Sequence, residues 1–169
     1  MTSTVDDAIR TRTHEWADPA AVLPHAASLS GREALVAMGA GELPYPPIAS
    51  TMDFETFELT EEGEVVVSIT AQEFHYNPIG MVHGGVMATL LDTVCGCAVH
   101  ATLPAGVLYT SLDLSVKFIR PMTTQSGRVE ARGRVVHRGS RIALAEGTIV
   151  DQNGKLLATA TSSCMIFAP

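Results

Sequence analysis

Residues 77 to 92 concentrate the groups of this chain that could do chemistry. They read Asn77-Pro78-Ile79-Gly80-Met81-Val82-His83-Gly84-Gly85-Val86-Met87-Ala88-Thr89-Leu90-Leu91-Asp92, and the apolar run continues to Ala101. Such a run predicts a helix from Gly84 to Ala101 with a single carboxylate near its centre. On that helix the neighbours of Asp92 on its own face are Ala88, Thr89, Cys95 and Gly96, all small, whereas Met87, Leu90, Leu91 and Val94 point elsewhere. The helix therefore has a bulky side for a core and a slim side that another backbone or a substrate can approach. A half-buried carboxylate there is costly unless it is paired or does chemistry. Ahead of the helix, Pro78 and Gly80 mark a loop, and Gly84-Gly85 leave the first helical N–H groups uncovered. Those groups lack intrahelical partners and carry the positive end of the helix dipole, so they can hold a developing oxyanion. A bare helix start two turns from an internal acid points to hydrolysis of a carbonyl compound.

Other routes to hydrolysis find little in the sequence. The histidines, His14, His25, His75, His83, His100 and His137, have no metal-ligand spacing among themselves or with cysteine, so no metal is expected. No G-x-S-x-G elbow occurs. Cys95 lies one turn from Asp92, but no histidine stands at a spacing that would make it a nucleophile.

The elements that must position these residues fit one domain of 169 residues, 46% hydrophobic. A net charge of −7 argues against nucleic acid as a partner. The segment from Lys117 to Arg141 nevertheless holds seven of the eleven Lys and Arg residues, with only Glu130 opposing them. It is either a site for a small phosphorylated ligand or an ordinary solvated strand face. Arg128, Arg132, Arg134 and Arg138 share one parity, the expected solvent face. The opening residues lack the apolar segment of a secretory leader, and the Gly84 helix, with Asp92 and His100, reads as a core or interface helix rather than a membrane span. Cys95, Cys97 and Cys164 form no disulfide framework, so a reduced, cytoplasmic protein is expected.

Residues 1–50 read as an irregular lead-in. Ser30-Gly31-Arg32-Glu33 is a capping box opening a short helix to about Gly39, and the prolines of 44–47 exclude regular structure. Strands are expected from Thr51, with a second from Glu64 to Ala71. After the long helix come four more, at about 107–119, 128–138, 141–151 and 155–167, the last three joined by Arg138-Gly139-Ser140-Arg141 and Asp151-Gln152-Asn153-Gly154. Hairpin-length links make the sheet antiparallel, the long helix packs on it, and the class is α+β. A twin helix from a second subunit, approaching along Ala88, Cys95 and Gly96, would cover the slim face.

The Asn77–Asp92 stretch, with Asn-x-x-Gly-x-x-His-Gly-Gly leading into an acid-bearing helix, resembles the signature of the PaaI-like acyl-CoA thioesterases of the hot-dog fold. Residues 111–121, Ser-Leu-Asp-Leu-Ser-Val-Lys-Phe-Ile-Arg-Pro, resemble that family's next strand, and Val136-His137-Arg138-Gly139-Ser140-Arg141 its coenzyme A-contacting hairpin. The resemblance covers about 51–167 and implies a sheet wrapped round the helix, a hot-dog domain over 51–169, dimers that share active sites, and often a dimer of dimers. It implies Asp92 as the catalytic carboxylate, base or nucleophile, and the Gly84 N–H as the group polarising the thioester carbonyl. His83 and Asn77 flank the carbonyl and the attacking water. Ser111 or Thr110 orients the water. Gly85, Arg138, Gly139, Ser140 and Arg141 bind substrate. No cofactor is needed, since coenzyme A is part of the substrate. Phe57, Phe74, Tyr76, Met81 and Tyr109 are candidates for the acyl pocket. A dehydratase or hydratase of acyl thioesters on the same fold, and a non-catalytic acyl-CoA sensor, are the alternatives.

Overall fold

The computed structural model describes residues 9–167. Three short helices come first, α1 (Pro19–Ser28), α2 (Gly31–Gly39) and α3 (Pro47–Met52). Strands β1 (Thr56–Leu59) and β2 (Val65–Thr70) lead to the long helix α4 (Gly84–His100). Then follow β3 (Leu108–Phe118), β4 (Arg128–Arg138), β5 (Ile142–Val150) and β6 (Leu156–Phe167). The strands form one antiparallel sheet in the order β1-β2-β4-β5-β6-β3, and α4 packs against β2 to β6, as in a hot-dog fold.

Two of the N-terminal helices depart from the expected lead-in. Asp18 caps α1 by accepting from the Ala20 N–H at 2.9 Å, with Pro19 in the first turn, and Pro47 opens α3 just where a strand was expected from Thr51. Proline breaks helix interiors but favours first turns, where its missing N–H has no partner to lose. α2 forms as expected on its capping box, the Ser30 N–H donating to Glu33 at 2.8 Å. Its Leu35 joins the main core.

That core consists of Leu90, Leu91 and Val94 of α4 against Val65, Val67, Ile69, Val129 and Ile149, all buried. Two glycines bring the sheet into contact with the helix. A Cβ at Gly133 of β4 would fall 2.3 Å from the Val94 carbonyl oxygen. One at Gly147 of β5 would fall 3.1 Å from both Cys95 Sγ and Leu91 Cδ2.

The slim face of α4 is shorter than its spacing implied. Cys95 is buried with Ala143, Ala145, Cys164 and Ile166 in a second cluster, and the Tyr109 ring of β3 lies over Gly96, where a Cβ would meet it at 3.0 Å. The protomer's own strands thus cover Cys95 and Gly96, so a twin helix cannot approach along them. The strip left open or half-open runs Gly85, Ala88, Thr89, Asp92.

Three bulges interrupt the ladders, with Leu112 the extra residue in β3, Val136 in β4 and Leu157 in β6; Leu112 and Val136 are more than half exposed. The second corrects the arginine parity. Arg128, Arg132 and Arg134 do lie on the outer face, but past Val136 the register shifts, Arg138 pairs with buried Ala143, and its Nε donates to the Thr102 hydroxyl beyond α4 at 3.2 Å.

Gly133→Ala is expected to lower the unfolding free energy by about 2 kcal/mol, the cost of overpacking a rigid backbone contact. Urea unfolding measures it, and a loss below about 0.5 kcal/mol would show that α4 can ride up on the sheet there.

Candidate active site

Asp92 stands on the open strip of α4, and its Oδ1 accepts a hydrogen bond from the Ser111 hydroxyl of β3 at 2.9 Å. Thr110, one residue back, makes no such bond among the described residues, so the neighbour of the acid is Ser111. Behind the carboxylate the protein is dry. Burial pushes the thiols of Cys95 and Cys97 up to about 12, and the same cause raises the Tyr109 phenol. A thiol held that high is protonated at neutral pH, which removes Cys95 as a nucleophile.

At the helix start the groups divide their work. His83 is the N-cap; its Nδ1 accepts from the Gly85 N–H at 2.9 Å and its carbonyl from the Val86 N–H at 2.9 Å. The Gly85 N–H is therefore engaged by His83 rather than open to a substrate. The Gly84 N–H has no partner among the described residues. The Phe118 ring rests against Gly84, where a Cβ would come within 3.0 Å of it. Asn77 holds the preceding loop: its Oδ1 accepts from the N–H groups of Ile79 at 3.1 Å and Met81 at 3.2 Å. With Gly84 it borders a cavity of about 430 Å³ walled by Met81, Met87, Phe118, Ile119 and Met122. Of the five expected pocket residues only Met81 lines it. Phe57 is in the core, Tyr76 bonds Thr124, Tyr109 packs on Gly96, and Phe74 lies under the Arg12 guanidinium. Phe118 and Met122 went unnoticed because nothing local marks a residue that folds back onto a helix start some thirty positions away.

The structure thus gathers the predicted residues into two groups, Asp92 with Ser111, and Asn77 and His83 with Gly84. Eight residues of helix separate them, about 12 Å at 1.5 Å per residue. A base and an oxyanion donor acting on one carbonyl must each lie about 3 Å from the reacting atoms. Within one protomer these two groups do not meet at a single carbonyl.

The basic segment divides as well. Arg128 pairs with Glu55 at 3.7 Å and Glu130 at 3.8 Å, Arg132 with Glu130 at 3.0 Å and Glu64 at 3.7 Å, and Arg134 with Glu146. Acids from neighbouring strands neutralise that face. Arg138 and Arg141 make no ion pair among the described residues, and they flank a turn whose Gly139 N–H donates to the Ile142 carbonyl at 2.9 Å. Among the described residues no three His, Cys, Asp or Glu side chains gather as a metal site, and no helix is long and apolar enough to cross a membrane. A second hollow of about 360 Å³, beneath the lead-in at Trp16 and Tyr45, touches none of the predicted site residues.

Comparison with known proteins gives a consistent picture. The model of the Thioesterase superfamily matches residues 79–158. A protein of Ralstonia eutropha JMP134, described as a thioesterase related to phenylacetic acid degradation, has a crystal structure that superposes with a TM-score of 0.69 and 33% identity, over 78% of this chain and 98% of that one. Human acyl-coenzyme A thioesterase 13 is 29% identical over 57% of this chain and 68% of its own. An esterase-named protein of Halobacterium salinarum is 41% identical over 42% of this chain, and the match spans only 46% of that protein's length. An antiparallel sheet round one helix, with an acid on the helix's open strip, places the molecule among the hot-dog thioester hydrolases. The chain belongs to the Thioesterase superfamily.

Ser111→Ala is expected to lower kcat for thioester hydrolysis about tenfold with little change in KM, while Thr110→Ala stays within about twofold. Thiol release measures both, and the reverse ranking would give the orienting role to Thr110.

Proposed function

We propose that the protein hydrolyses acyl-CoA thioesters to a carboxylic acid and coenzyme A, as a homodimer, alone or paired into a tetramer, whose sites each draw on both protomers. The observation that carries this reading is the separation of the Asp92–Ser111 pair from the free Gly84 N–H. A two-fold axis near Ala88 sets residue 84 of one helix opposite residue 92 of the other, since 88 lies midway between them. Within each protomer β3 runs alongside α4, with Phe118 by Gly84 and Ser111 by Asp92. β3 is an 11-residue strand at the edge of the sheet with Leu108, Leu112 and Phe118 exposed. An open, apolar edge of that kind invites a second copy. Small residues on the open strip let the helices come together.

In the resulting site the Gly84 N–H and Asn77 hold the carbonyl oxygen. The partner's Asp92, steadied by the partner's Ser111, takes the proton of the attacking water or attacks the carbonyl itself. A carboxylate base contributes roughly 10²–10⁴-fold and an oxyanion donor roughly 10²–10³-fold. The thiolate leaves with the coenzyme, and no cofactor is required. The name of the human relative supports acyl-CoA as the substrate class. His83, its ring engaged in capping, is a poor candidate for the second proton-transfer group a hydratase needs.

Asp92→Asn and Asn77→Ala should each reduce kcat by about 10²-fold or more with the fold retained. Co-expressed in equal amounts, they should recover about a quarter of wild-type activity, because half the dimers are mixed and each mixed dimer rebuilds one of its two sites. No recovery would mean that each site lies within a single protomer. Arg138→Ala and Arg141→Ala should raise KM for acyl-CoA severalfold and spare kcat, without effect on a short thioester that lacks the nucleotide. Equal losses on both substrates would remove the hairpin from coenzyme binding.

A further inference from the structure

We infer that the cavity walled by Met81, Met87, Phe118, Ile119 and Met122 receives the acyl group, and that its chemistry selects a flexible, unbranched aliphatic acyl chain over a hydroxylated aromatic one. This rests on the acyl-CoA reading above. The cavity begins at Gly84 and Asn77, where that reading places the thioester carbonyl, so one of the two arms leaving the carbonyl must enter it.

The walls decide which arm. Three methionines, a phenylalanine and an isoleucine offer dispersion contacts and almost no hydrogen bonding. Amide and hydroxyl groups of a pantetheine arm would lose their water there without compensation. The lining carries no Ser, Thr, Tyr, His, Asp or Glu. Its one cation, Arg120, has Nη1 donating to the Leu156 carbonyl at 2.6 Å. A phenolic O–H on the substrate would find no hydroxyl or carboxylate acceptor in the lining. Methionine is unbranched and adapts its shape to what it touches, which suits a chain with many conformers better than a rigid ring. The volume of about 430 Å³ falls within the range of small-ligand pockets.

The other arm has a separate path. Ser111 pairs across the sheet with Cys164, Cys164 with Ala143, and Ala143 with Arg138. The Arg138–Arg141 turn thus lies at the Asp92 end of the protomer, away from that protomer's own cavity. Under the two-fold arrangement, a substrate held between Gly84 and the partner's Asp92 extends its acyl group into one protomer and its phosphates toward the partner's turn.

The test fills the cavity from two walls. Wild type, Met81→Trp and Ile119→Trp are assayed for thiol release from acetyl-, hexanoyl-, decanoyl- and 4-hydroxybenzoyl-CoA, with inhibition by free coenzyme A measured alongside. In the wild type kcat/KM should rise up to about fourfold per added methylene from acetyl to hexanoyl, and hexanoyl-CoA should outpace the hydroxybenzoyl thioester. Each tryptophan should cut the decanoyl and hexanoyl values at least about tenfold, leave acetyl-CoA within threefold, and leave inhibition by coenzyme A unchanged. Uniform losses on every substrate with weakened inhibition by coenzyme A would put the pantetheine arm in the cavity. A wild-type preference for the hydroxybenzoyl thioester would overturn the assignment of acyl class. A protein that releases thiol from none of the four would instead overturn the thioesterase reading itself.

Discussion

The close packing of α4 on the sheet at Gly133 and Gly147 is the constraint from which the site follows. With no side chain between them, the Val94 carbonyl and the β4 strand lie as close as backbone atoms can. Leu90, Leu91 and Val94 are then driven fully into the sheet's apolar face, which fixes both the height and the rotation of the helix. Rotation decides what remains outside. With the bulky residues inward, Asp92 has only the open strip on which to stand, and Ser111 of the edge strand is the hydroxyl beside it. The free Gly84 N–H is set by the same rotation about two helical turns along the same element, which is why the acid and that N–H are rigidly placed and rigidly apart.

Under the proposed two-fold arrangement, that separation makes the association of two chains a chemical requirement rather than a matter of stability alone. An edge strand with exposed Leu108, Leu112 and Phe118 is a hazard in a monomer. Here the same strand supplies the hydroxyl bonded to Asp92 and the ring that covers Gly84, so the exposed apolar edge and the candidate site share one element.

Much of this was legible in the residues. Apolar spacing located α4 and its acid, hairpin turns located β4, β5 and β6 almost to the residue, and the family resemblance ranked Asp92, Gly84 and Asn77 together. What escaped has common physical roots. Helix periodicity shows that Cys95 and Gly96 share the face of Asp92, but not that Tyr109 and β5 will fill it, because those contacts join residues distant in sequence. The strand period of two failed at Arg138 because a bulge carries no local sequence mark. The arginine cluster looked uncompensated because its acids come from elsewhere in the chain, Glu55 and Glu64 just ahead of β1 and β2 and Glu146 on β5. In the lead-in the signals were present, Asp18-Pro19 and Pro46-Pro47, but prolines were read as breakers where they act as helix starts.

The bulges at Leu112 and Val136 have a joint geometric effect. They lie on either side of a single line across the sheet, the row Asp113, Ser163, Leu144, His137. A bulge bends its strand and sharpens the local twist. Two of them flanking one row, on strands separated by β5 and β6, concentrate curvature there and make the row a crease. Beyond it the β4–β5 tip folds toward the end of α4, and the arginine that opens the turn reaches Thr102. The sheet thus ends in a hooked rim at the second half of the helix, and the two extra residues that form the hook are among its most exposed apolar side chains.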